Sequence, residues 1–96
     1  MKRHAIKIWP DYFGAVCLKR KTFELRKNDR DYQPGDHVVM KEWDPMTRKY
    51  TGGKIEATIG WMTEVNGDQV VFSLIHIGEP VFARKPTAGD SARRGR

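Results

Sequence analysis

Asn66-Gly67-Asp68 sits between two long runs that read as strands. From Lys54 to Val65 the sequence alternates. Ile55, Ala57, Ile59 and Trp61 share one face, and Glu56, Thr58, Gly60 and Met62 the other. An Asn-Gly step accepts the positive φ of a tight hairpin, so the two runs are antiparallel neighbours. Trp61 is expected in the core with the isoleucines, and Gly60 to mark a bulge or a close backbone approach. The second run, Gln69 to Ile77, is almost continuously apolar, which predicts burial on both faces.

The same punctuation recurs upstream. Gln33-Pro34-Gly35-Asp36 is a turn in which proline presets one central position and glycine supplies positive φ at the next. It introduces a strand over His37 to Trp43, with Val39 and Trp43 on one face and Val38 and Met40 on the other. Asp44 to Gly53 reads as a long, mobile hairpin connection. At the start, residues 4–8 form a short strand, with Ile6 and Ile8 on one side. Trp9-Pro10 then opens a helix, because proline lacks only an N–H that would be unpaired there. Phe13, Val16 and Cys17 give that helix a narrow apolar stripe. It ends near Leu18 to Arg20, and Trp9 is expected to pack as core or staple. Five strands and one helix in about 80 residues predict an α+β, mostly β fold: a small, mainly antiparallel β-barrel with its main helix after the first strand.

The chain of 96 residues suits one domain over residues 1–83. Its single cysteine, Cys17, excludes an internal disulfide and reads as a structural thiol. No apolar run is long enough for a membrane helix, so no membrane partner is expected, and a cytoplasmic monomer is. The histidines His4, His37 and His76 lack metal spacing. Asp29, Asp31 and Asp36 read as turn caps, and no metal or other cofactor is expected.

The net charge of +6 is focused. Residues 84–96 carry five basic residues and one acid without a large apolar side chain, a composition that predicts a disordered basic tail. Residues 19–30 carry six basic residues and two acids. Positive charge gathered in two places favours a polyanionic partner. Within the second, Thr22-Phe23-Glu24-Leu25-Arg26 alternates strictly. This places Phe23 and Leu25 toward a core, with hydroxyl, carboxylate and guanidinium in a row on the opposite surface. The alternative is an edge strand with a solvated charged face.

Lys21-Thr22-Phe23-Glu24-Leu25-Arg26, followed by Lys27-Asn28-Asp29-Arg30 and Pro34-Gly35-Asp36, resembles the ASCH superfamily of PUA-like folds. It is most similar to the small bacterial and phage proteins of DUF3850 type. Trp9-Pro10 and Glu42-Trp43-Asp44-Pro45 extend the likeness, which covers residues 4–77. Lys21, Glu24 and Arg26 match the lysine, glutamate and arginine of the ASCH signature, whose glycine is replaced by Lys19. The resemblance implies a β-barrel with a cleft between barrel and helix, and recognition of RNA or of a modified nucleoside. Some ASCH relatives remove acyl groups from a modified cytidine with a lysine, a threonine and a distal glutamate. Lys21 matches that lysine, Glu24 stands at the threonine position, and Thr22 lies one side-chain period away.

Three functions are expected. The first is a non-catalytic RNA- or nucleoside-binding module. Lys21 offers a point charge, Arg26 a planar fork, Glu24 an acceptor for a base amino group and Trp43 a stacking platform. Thr22, Asn28 and Arg30 extend the same surface. The second is a small hydrolase acting on a modified nucleoside or on RNA, with Lys21, Glu24 and Thr22 in its active site. The third is a phage or mobile-element accessory protein that binds a host protein.

Overall fold

The computed structural model describes residues 1–82, and the domain limit at 83 and the tail over 84–96 lie outside the described residues. Strand β1 (Arg3–Ile8) is followed by helix α1 (Pro10–Cys17), then β2 (Phe23–Lys27), β3 (His37–Asp44), β4 (Lys49–Asn66) and β5 (Gln69–Ile75). They form one five-stranded sheet in the order β1-β3-β4-β5-β2. β1 runs parallel to β3, and the other three pairings are antiparallel. The sheet curls into a half-barrel whose edge strands are β1 and β2. Its hollow is filled by Ile6, Met40, Ile55, Ile59, Phe72 and their neighbours, with Phe13 and Val16 of α1 packed on top.

Several expectations change. The Asp44–Gly53 connection is short, because β4 begins at Lys49 and Asp44 already pairs with Lys49. β5 buries only Val70, Phe72 and Leu74, so alternate residues and not both faces are covered. Trp61 is 69% exposed. The β4–β5 register shifts between Ile59 and Met62, which turns Trp61 outward and lets Met62 pack against the core. Gly60 sits at that shift, where an added Cβ would lie 2.8 Å from the Ser73 hydroxyl and 2.9 Å from Ile75. The close approach explains the missing side chain. Trp9 is half exposed, neither core nor staple. Tyr32, in a polar stretch that gave no core signal, is almost fully buried between the rings of His4 and Phe72.

The helix stops by a defined device. Lys19 adopts φ 59°, its amide donates to Val16 O at 2.9 Å, and the Arg20 amide donates to Ala15 O at 2.9 Å. This is a Schellman cap, whose left-handed position favours glycine. Lys19 takes that position, so the turn forms here in spite of a side chain. Lys19→Gly is expected to stabilise the fold by about 1 kcal/mol, because a left-handed conformation costs an L-residue about that much. A thermal melt checks this, and no rise in midpoint would refute it.

Candidate functional site

The order of the sheet leaves the facing edges of β1 and β2 without a shared backbone ladder. Alternate residues of a strand turn their peptide groups to opposite edges. Lys2 O is taken by His37 and Thr22 O by Leu74, so Ala5, Lys7, Phe23 and Leu25 direct theirs into the seam. Side chains bridge it. Arg26 Nη2 donates to Lys7 O, and Arg30 Nη1 donates to Ala5 O. Two arginines of the basic segment, one on β2 and one in the loop after it, thus reach the opposite edge of the half-barrel.

A cleft of about 620 Å³ lies along this seam. Its floor is Ile8 and Glu24, and its β2 wall runs from Phe23 to Lys27. The facing wall is Lys7, Trp9 and Tyr12, from the end of β1 and the start of α1. Its size is that of an ordinary small-ligand site.

Glu24 is the centre of the cleft and is 4% exposed. Its position corrects the expected phase of β2. The Glu24 side turns inward, while Phe23 and Leu25, half exposed, turn outward. A carboxylate is tolerated inside because two cations compensate it. Lys21 Nζ donates to Oε2, and Arg26 Nε donates to Oε1 at 3.1 Å. Lys21 Nζ also donates to Phe23 O. Its ammonium stands 5.1 Å from the Phe23 ring centroid and 5.8 Å from that of Tyr12. A lysine has three N–H donors and an arginine five. Among the described residues these bonds leave one donor on Lys21 and three on Arg26 for a ligand. Lys7 and Lys27 add two exposed ammonium groups.

The site therefore joins Lys21, Glu24 and Arg26 in one cleft. Thr22 is exposed and is not among the lining residues; its carbonyl accepts from Leu74 at 2.9 Å. Asn28 caps a turn, its Oδ1 accepting from the Tyr32 amide at 2.9 Å. Arg30 serves the seam. Trp43 also lies outside the lining, and the Lys7 ammonium rests 4.1 Å above its ring, so it touches the cleft through a cation–π contact. The cleft residues that sequence reasoning missed include Lys7, Trp9, Tyr12 and Lys27, and also Phe23, expected to face the core. The proline start of α1 fixes where that helix begins, and with it the two rings at its mouth.

Two comparisons bear on the chain. Residues 3–77 match a family described as "Domain of unknown function (DUF3850)". The chain is also 35% identical over 75 residues to the "Uncharacterized 12.9 kDa protein in GpA 3'region" of Escherichia phage P2, a match spanning 78% of this chain and 67% of that protein.

Proposed function

This chain belongs to the DUF3850 family, and we propose that it is a non-catalytic module that binds single-stranded RNA in the cleft between β1, α1 and β2. One observation carries the reading: three solvent-reachable aromatic rings, Trp9, Tyr12 and Phe23, line the same cleft as four cations, Lys7, Lys21, Arg26 and Lys27. Rings that stack bases, interleaved with cations that meet phosphates, are the parts a single-strand binder needs. Glu24 adds an acceptor held at a fixed angle by two donors, suited to a base amino edge. The likeness of Lys21 to Arg26 to the ASCH signature agrees with this reading, as does the focused charge of residues 19–30.

The test is affinity for a short single-stranded RNA as a function of salt. Binding to a single strand weakens with a log–log slope of about −0.7 per neutralised phosphate. With three or four cleft cations engaged, the slope should be about −2 to −3, a loss of about 15- to 60-fold between 50 and 200 mM salt. Lys7→Ala and Lys21→Ala should each reduce the slope by roughly one contact. If neither changes it, the cleft does not bind RNA.

A further inference from the structure

A second hollow opens on the far side of Trp9 and Tyr12. It has a volume of about 400 Å³ and is walled by Pro10, Pro45 and Met46. Among the described residues its only charged lining groups are Asp11, in the first turn of α1, and Asp44, at the end of β3. The two depressions thus share a ridge of two aromatic rings and have opposite charge. Among the described residues the cleft is lined by four cations around one carboxylate, and the hollow by two carboxylates and no cation.

From this we infer that the hollow is a second base subsite, which takes the nucleobase next to the one in the cleft and selects for an exocyclic amino group. The inference rests on the reading of the cleft as an RNA interface. A phosphate belongs on the basic side and is repelled by the two carboxylates. What the hollow offers is flat apolar contact from proline, methionine and aromatic groups, together with acceptors alone. Asp44 Oδ1 accepts from the Met46 amide at 2.8 Å, which fixes the carboxylate in the β3–β4 turn. Arg48 N closes the same turn on Asp44 O at 2.7 Å. Among the described residues no donor reaches Asp44 Oδ2 or the Asp11 carboxylate. An acceptor-only edge matches the amino groups of cytosine, adenine or guanine and disfavours uracil, whose one donor on that edge, N3–H, is flanked by two carbonyl oxygens. Because Trp9 and Tyr12 line both depressions, the ligand is a strand of at least two nucleotides and not a free nucleotide.

The experiment compares cytidine monophosphate, tetracytidylate and tetrauridylate on the full chain at one salt concentration, monitored by amide shifts. Tetracytidylate should bind about tenfold more tightly than tetrauridylate, the size of one good base contact, and should move amides of residues 44–46 as well as 21–27. The monophosphate should move only the second group. Asp11→Asn with Asp44→Asn should lower the preference for tetracytidylate severalfold, to what Glu24 in the cleft supplies, while leaving the shifts at 21–27. A preference unchanged in the double variant, or shifts at 44–46 with the monophosphate alone, would overturn the second subsite while leaving the cleft intact. If no probe moves 21–27, the cleft reading fails and the subsite fails with it.

Discussion

Asp36→Ala is expected to lower stability by about 3–5 kcal/mol, because it leaves the donors that bond to this buried carboxylate unpaired, at about 1–3 kcal/mol each. For a domain of this size that is a large part of the total. Asp36 is 3% exposed and links three parts of the chain. His4 of β1 donates from Nε2 to Oδ2 at 2.8 Å. A carboxylate only accepts, which fixes the histidine tautomer. The Lys2 amide donates to Oδ1 at 3.0 Å, and the Gln33 amide to Oδ2 at 3.1 Å. The carboxylate therefore anchors the start of β1 to the turn before β3, where Gly35 takes φ 92°. Losing it strands three donors, two of them backbone. Urea unfolding checks the magnitude, and a change below about 1 kcal/mol would contradict it.

The same group gives the fold an acid limit. Burial raises the Asp36 carboxyl, but the bonds from His4, Lys2 and Gln33 outweigh it and hold the pKa below the ordinary value. Glu56 is also held low, by the hydrogen bond from His37 first, against burial, and then by Arg3. A carboxyl depressed in the folded state contributes stability that is complete above the ordinary carboxylate pKa and lost as pH falls through the folded value. Stability should therefore be flat near neutrality and decline below pH about 4. Asp36→Asn, which keeps the shape, should make that decline shallower. An identical acid profile for the two proteins would show that Asp36 is not its source.

The second large effect is on binding. Replacing Trp9 and Tyr12 together with alanine should weaken RNA binding by about 2–6 kcal/mol, at about 1–3 kcal/mol per lost stacking ring. That is a factor of about 30 to 25,000. Trp9 is 51% and Tyr12 56% exposed, so the melting temperature should hardly move. The separation of the two readouts makes the test informative. A core aromatic would show a large fall in stability, whereas a binding ring shows loss of affinity in a protein that melts normally. Unchanged affinity in the double variant would remove the stacking account.

Much of the fold is legible in the sequence because turns and alternation act locally. Pro34-Gly35 and Asn66-Gly67 place the turns, and the Pro10 start of the helix comes from proline chemistry. What escapes is the sign of an alternation. Thr22 to Arg26 announces two faces but not which one lies inside. Burial of Glu24 is settled by Lys21 and Arg26 closing on it, a tertiary matter. A single shift of register on β4 reverses Trp61, since a one-residue slip exchanges the faces of a strand. The parallel pairing of β1 with β3 joins residues about 34 apart and has no local signature. The site is half legible for the same reason. Lys21, Glu24 and Arg26 stand out as an acid among bases on one short strand. Lys7, Trp9 and Tyr12 join them only because the sheet order brings β1 and β2 face to face.

The most direct test of RNA binding in the cleft is an amide chemical-shift titration of the full chain with a short single-stranded RNA at moderate salt. Shifts should group at residues 7–12 and 21–27, on the two walls of one cleft. Shifts confined to the basic residues 84–96, or none at all, would contradict it, and the accessory role in binding a host protein would then become the reading to pursue.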